Sequence, residues 1–248
     1  MSDYDPGGAP RSLRVGGFTP FTNIDYPGRL AAVVFVQGCP WRCLYCHNPH
    51  LQPRADDIRG ATLTWPDVLG TLQKRRGMLD GVVFSGGEPT IDPGLRQAML
   101  DVRSLGYAVG LHTAGMYPRR LQEVLPLVDW VGFDVKAPLD DAGTGVHDRV
   151  VGVEGGQRAV GASQDAVLKS GVACEFRTTA HPALLSDTEL VRLAEDLARR
   201  GATAYALQVA RPVRDTAQGL ASVGADYPAA ATLARLRELM PSFVLRRD

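Results

Sequence analysis

Three of the four cysteines in this 248-residue chain crowd into one short loop, as Cys39, Cys43 and Cys46. The loop reads Gln37-Gly38-Cys39-Pro40-Trp41-Arg42-Cys43-Leu44-Tyr45-Cys46-His47-Asn48-Pro49, a C-x3-C-x2-C spacing. Such clustering favours metal or cluster ligation over a disulfide framework. Three thiolates on one tight loop can hold three irons of a cubane and leave the fourth without a protein ligand. An open metal position is what a catalytic site needs, because a cofactor or substrate can bind there. The alternatives are a structural zinc site, Cys3His with His47, and a buried cysteine cluster. Zinc is disfavoured because Cys46 and His47 are adjacent, whereas paired zinc ligands are spaced by about two to four residues. Cys174 lies inside an apolar run and reads as a small buried hydrophobe.

Other residues able to do chemistry follow short apolar runs. Ser85-Gly86-Gly87-Glu88 comes after residues 82–84, and its two glycines let the backbone approach a ligand closely. His112-Thr113-Ala114-Gly115 comes after residues 108–111, with His112 readable as a satisfied core residue. Asp134-Val135-Lys136 closes the run from residue 130. A strand period of two puts both charged side chains on one side, where they read either as a structural ion pair or as a ligand site, and such a pair seldom occupies a parallel barrel's interior without a ligand. Arg177 follows residues 172–176, and Arg211 follows residues 204–209, where it could face a ligand or partner.

The elements that must position these groups alternate. Apolar runs at residues 30–36, 82–84, 108–111, 130–135, 172–176 and 204–209 are near-continuous, as in parallel strands covered on both faces. Helices are predicted over residues 92–105, N-capped by Asp92, over 186–200, opened by a Ser-Asp-Thr-Glu capping box, and over 232–240. Alternating strands and helices imply right-handed crossovers and a parallel sheet. The predicted fold is an α/β open (β/α)6 partial TIM barrel, with a lead-in strand near residues 13–15 and a final one near 243–245. Chemistry in such barrels sits at the C-terminal strand ends, where the candidate residues fall. Residues 1–12 read as a disordered tail and residues 13–248 as one domain.

Composition is that of an ordinary globular protein, 45% hydrophobic and 22% charged, so a sizeable core is available. Lys and Arg number 27 and Asp and Glu number 27, giving no support to nucleic-acid binding through a basic face. The runs Lys74-Arg75-Arg76 and Arg246-Arg247 read as solvated surface. The N-terminus lacks the basic and apolar regions of a signal peptide, and no apolar run is long enough to span a bilayer, so a cytoplasmic location is expected.

The cysteine spacing, with an aromatic residue just before the third cysteine, resembles the signature of the radical S-adenosylmethionine (SAM) superfamily. That resemblance implies one [4Fe–4S] cluster on Cys39, Cys43 and Cys46, with SAM chelating the free iron. It implies SAM contacts from Tyr45, Cys46 and His47, from the Gly86-Gly87-Glu88 segment, from Asp134 and Lys136, and from Thr113 and Arg177. The "His-Thr-Ala-Gly" segment departs from the Asp-Thr-Asn-Gly of pyruvate formate-lyase activases, so only Thr113 carries over there.

The stretch from Gly17 to Gly28, which includes Asp25-Tyr26-Pro27-Gly28, resembles activases of glycyl radical enzymes, and most closely those of anaerobic ribonucleoside-triphosphate reductase. The resemblance runs from Leu13 to about Arg214 and is densest between Phe18 and Pro49. It implies reductive cleavage of SAM to a 5′-deoxyadenosyl radical that generates a glycyl radical on the reductase's glycine-bearing loop. Flavodoxin or ferredoxin is the implied electron donor. With three of four cysteines engaged, no auxiliary cluster is expected. The Asp25–Gly28 segment is expected near the cluster loop at the barrel mouth. Two alternatives are a small-molecule radical SAM enzyme, such as a 7-carboxy-7-deazaguanine synthase, and a non-catalytic iron–sulfur or zinc module.

Overall fold

A computed structural model describes residues 12–53, 63–139, 145–212 and 220–247. Eight strands form one sheet in chain order, and its two edge strands do not pair with each other. The elements run β1 (Val15–Thr22), β2 (Ala31–Val36), α1 (Trp65–Lys74), β3 (Gly81–Gly86), α2 (Leu95–Ser104), β4 (Ala108–Thr113), α3 (Pro118–Val124), β5 (Trp130–Asp134), α4 (Val146–Val151), α5 (Gln157–Ser170), β6 (Ala173–Ala180), α6 (Asp187–Arg199), β7 (Ala204–Val209), α7 (Ala230–Leu239) and β8 (Ser242–Arg246). β1 pairs antiparallel with β2, and β2 through β8 are parallel to their neighbours. The expected open α/β barrel is therefore the fold, with β1 and β8 as its extensions. The expected tail falls outside the described residues up to Arg11.

Strand periodicity divides the core in two. Outward side chains such as Ala32, Val34, Val36, Val82, Phe84, Val131 and Phe133 join the main cluster under the helices, where Leu72, Met99, Leu121, Val167 and Leu193 meet them. Inward side chains Ala31, Val33, Val83 and Trp130 form a second, smaller cluster with Tyr26 inside the barrel. That two-sided burial is why the runs read as continuous rather than alternating.

Helix boundaries follow local chemistry. Thr64 and Asp67 form a capping box for α1, and Ser186 and Glu189 form the expected one for α6. Asp92 does not cap α2. A 3-10 turn at Pro89–Ile91 intervenes, so Asp92 ends that turn and accepts the Gly94 amide at 2.8 Å, and the helix begins at Leu95.

The segment before β2 corrects one expectation. The register pairs Thr22 with Ala31 and Val15 with Val36, so residues 23–30 connect at the N-terminal end of β2, opposite the cluster loop. Tyr26 plugs the barrel from below, 4% exposed, with its ring stacked on Trp130 at 5.5 Å between centroids. A side chain at Gly81 or Gly110 would stand 3.1 or 3.3 Å from that ring, so both glycines make room for it. The Asp25-Tyr26-Pro27-Gly28 segment is a floor, not part of the mouth.

Among the described residues, no helix is long and apolar enough to cross a membrane. Tyr26→Ala removes the floor's ring and leaves a cavity against Trp130. It is expected to lower unfolding free energy by about 3 kcal/mol, measured by urea denaturation.

Candidate functional site

The cluster loop is anchored on both flanks. Gly38, at φ 105°, donates its amide to the Leu51 carbonyl at 2.8 Å, and the Cys39 amide reaches the Gln52 carbonyl at 3.0 Å. The Gln37 side-chain amide donates to the carbonyls of His50 at 3.1 Å and Pro53 at 2.7 Å, closing the loop on itself. On the other flank the Arg42 amide reaches the Val151 carbonyl at 2.8 Å, and Trp41 packs edge-on to His147 at 5.4 Å. The α4 region, unread in the sequence, is thus the loop's outer support.

Gly86 and Gly87 have a packing reason beyond any ligand. A side chain on Gly86 would meet the Val36 amide nitrogen at 2.4 Å, and one on Gly87 the Gly38 carbonyl oxygen at 2.2 Å. The Gly87 amide donates to the Val36 carbonyl at 3.0 Å and the Glu88 amide to the Gly38 carbonyl at 2.9 Å. The end of β3 and the start of the cluster loop therefore lie backbone against backbone.

Glu88, expected among the cofactor contacts, does not line the cavity. It is fully buried behind it. Its Oε1 accepts from the Thr90 amide at 3.1 Å, from the Thr90 hydroxyl at 2.5 Å and from the Thr113 hydroxyl at 2.7 Å, and its Oε2 from the Ala114 amide at 2.8 Å. Burial raises its pKa, opposed by these donors. Glu88 thus ties the ends of β3 and β4 together.

A cavity of about 210 Å³ opens at the C-terminal strand ends. Cys39, Cys43, Tyr45, Cys46 and His47 line one side, Gly86 and Gly87 a second, and Thr113, Asp134, Lys136 and Arg177 the rest. Every other residue expected at the cofactor site is thus in one place. Trp41, Asn48, Gln52, Ser85, Met116 and Thr179 also line it and were not anticipated. Thr179 was findable, because it stands two residues beyond Arg177 on β6 and shares its face. Arg211 does not line it.

The charged centre is Asp134. Its Oδ2 meets Lys136 Nζ at 3.0 Å, and its Oδ1 meets Arg177 Nη2 at 3.0 Å and Nε at 3.1 Å. Burial alone would raise the Asp134 pKa, but Lys136 and Arg177 outweigh it and hold the carboxyl below its ordinary range. Burial would likewise lower Lys136, and Asp134 outweighs it, so the amine stays charged. Lys136 also lies over the Tyr45 ring at 5.5 Å. Two cations against one anion leave this wall net positive, suited to an anionic ligand group.

The thiols suit a soft metal centre. Burial pushes the Cys39 thiol up to about 12 and also raises Cys43, so both carry protons that an incoming metal must displace. No fourth cysteine lines the cavity, because Cys174 sits on β6 with its side chain packed against the main core. The donor set thus fits a cluster with one iron left open.

His112 is buried against Ser85, Asp25, Arg177 and the edge of Trp130. Burial, then the Arg177 charge, lowers its pKa from 6.5 to about 3. As pH falls below 6.5 the unfolded chain takes up a proton that the folded chain refuses until about 3, so this residue's share of stability is lost on acidification. The slope is about 1.4 kcal/mol per pH unit. Between pH 7 and pH 5, wild type is expected to lose about 2 kcal/mol more than His112→Gln in urea denaturation.

The radical SAM superfamily model matches residues 33–182. The chain is 30% identical over 206 residues to MJ1227 of Methanocaldococcus jannaschii, named as a glycyl-radical enzyme activating enzyme, covering 80% of each chain. It is 36% identical over 126 residues to the pyruvate formate-lyase-activating enzyme of Clostridium pasteurianum, covering 48% of this chain and 50% of that one. Among solved structures, Streptococcus suis SuiB bound to S-adenosylmethionine superposes with a TM-score of 0.62 at 16% identity, over 85% of this chain and 48% of that one. QueE from Escherichia coli gives 0.57 at 15% identity, over 96% of this chain and 95% of that one. At those identities the likeness shows the fold.

Proposed function

We propose, for a chain that belongs to the radical SAM superfamily and within it to the glycyl-radical enzyme activating enzymes, that it generates a glycyl radical on anaerobic ribonucleoside-triphosphate reductase. Supporting this reading is one cavity lined by the three loop cysteines, the Gly86-Gly87 backbone and the Asp134–Lys136–Arg177 group. The choice of reductase rests on the resemblance concentrated between Phe18 and Pro49. Residues 23–28 support that choice as family identity only, because they form the barrel floor and not a docking loop.

Cys39, Cys43 and Cys46 would hold the [4Fe–4S] cluster, and Lys136, Arg177, Asp134, Gly86 and Gly87 would hold SAM. When both are bound, the pair would supply reductive cleavage of SAM and hydrogen-atom abstraction from a glycine α-carbon. The chain's own work is positioning and exclusion of water. Lys136 and Arg177 present positive charge to the carboxylate of SAM, while Asp134 keeps both in place and oriented. The strand-end carbonyls of Gly86 and Gly87 would accept from the methionyl amine. Backbone from Tyr45 to His47 would contact the adenine. Flavodoxin or ferredoxin would donate the electron in the cytoplasm.

Ligation is checked by iron and sulfide analysis after anaerobic reconstitution. Cys39→Ala, Cys43→Ala and Cys46→Ala should each lose the cluster, whereas Cys174→Ala should load it as wild type does. A Cys174→Ala protein without iron would exclude the assignment. Function is checked by electron paramagnetic resonance. Reduced protein, SAM and the anaerobic reductase should together give a glycyl-radical doublet that disappears when the reductase's glycine is replaced by alanine. SAM consumption matched to a small-molecule product, with no reductase present, would transfer the protein to the small-molecule enzymes.

A further inference from the structure

His112 makes more contacts than it can satisfy at once. Its Nε2 stands 2.9 Å from the Asp25 carbonyl oxygen and 3.2 Å from Arg177 Nη1, while its Nδ1 stands 3.2 Å from the Ser85 hydroxyl. A hydrogen bond to the carbonyl needs a proton on Nε2, and one from the guanidinium needs a lone pair there. A neutral imidazole offers one or the other. The Ser85 hydroxyl can serve either state, because it both donates and accepts.

We propose that His112 is a positioning residue for the cavity, whose tautomer sets whether Arg177 is held back or released toward an anionic ligand group. With the proton on Nδ1, the ring donates to Ser85 and accepts from Arg177 Nη1. With the proton on Nε2, it donates to the Asp25 carbonyl and accepts from Ser85. Arg177 then keeps Asp134, through Nε and Nη2, and its Nη1 protons are free for a ligand. The imidazolium form would set a cation directly against Arg177, and the folded protein disfavours it at neutral pH.

The arrangement links two distant parts of the barrel. Asp25 is next to Tyr26, the floor plug, and the rings of Tyr26 and His112 both rest on Trp130, at 5.5 and 5.6 Å. A ligand carboxylate that takes Nη1 from His112 therefore moves the ring's proton to the side of the floor. The same event that fills the cavity fastens the segment beneath it. By linkage, a tighter floor favours the filled cavity by the same factor.

This inference rests on the reading that SAM, through its carboxylate, occupies the cavity, and the test separates the two. Cluster-loaded protein labelled with 15N-histidine is observed by nitrogen NMR before and after SAM, with the His112 signals assigned by their absence in His112→Gln. The expected result is a Nδ1–H tautomer without SAM and a Nε2–H tautomer with it. SAM affinity, measured by equilibrium binding, should fall about tenfold in His112→Phe, because the Nε2–H bond to the Asp25 carbonyl that accompanies the filled cavity is lost, and a rise in affinity would overturn the link to the floor. His112→Gln, whose amide both donates and accepts, should stay closer to wild type, and iron content should be unchanged in both. If SAM binds wild type while His112 keeps one tautomer, or becomes imidazolium, the proposal is overturned and the cofactor reading stands. Equal SAM affinity in wild type and His112→Phe also overturns it. If SAM does not bind wild type, the cofactor reading fails first, and this inference falls with it.

Discussion

The cavity depends on one carboxylate held between two cations. The sheet register places Asp134 of β5 directly beside Arg177 of β6, and Lys136 follows where β5 ends. Neither cation would be tolerable there alone, because an unpaired buried charge costs about 3–5 kcal/mol when its partner is removed. Asp134 therefore determines that both can be present and where each points. Two further bonds fix the register at this point: the Val135 amide to the Arg177 carbonyl at 2.7 Å, and the Thr178 hydroxyl to the Val135 carbonyl at 2.8 Å. A charge arrangement and a strand pairing are here the same constraint.

The thiol side of the cavity obeys a steric rule instead. Gly86 and Gly87 allow two backbones to lie closer than any side chain permits, and the first cysteine follows immediately. The resulting loop position is set by hydrogen bonds of main-chain atoms, to Leu51, Gln52 and Val151. Main-chain anchoring leaves the cysteine side chains uncommitted. Burial raises the Cys39 and Cys43 thiols, so ligation there is coupled to proton release, which is characteristic of thiol sites.

The sequence revealed the cavity more fully than its supports. Cys39, Cys43 and Cys46 were legible because their spacing is local, and Asp134 and Lys136 because two charges two residues apart close an apolar run, although the strand itself ends at Asp134. Arg177 was placed by the family resemblance at a strand end. Glu88 misled because chain position cannot show whether a polar residue turns toward a cavity or behind it. Only the fold shows that four donors await it on the far side. Residues 23–28 misled for a topological reason. An antiparallel lead-in strand sends its connection to the opposite end from the mouth, and strand direction is not written in a single apolar run. The short α4 that braces the cluster loop has too few residues for periodicity to reveal it.

The unpaired edges of β1 and β8 carry a mechanical consequence. A closed barrel has its radius dictated by strand number and stagger, so its bore cannot change without breaking ladder hydrogen bonds. An open sheet has no such closure condition, and its curvature is set by twist and by the helices packed outside. The contacts that fill the bore differ from side to side. On the β2–β5 side, Tyr26 and Trp130 fill it with stacked rings. On the β6–β8 side, Val244 of β8 is 44% exposed, and Arg246 of β8 reaches across to Glu175 of β6 at 2.8 Å. The barrel is a half-pipe whose bore is held by an apolar plug on one side and an ion pair on the other, in place of the ladder that would close it.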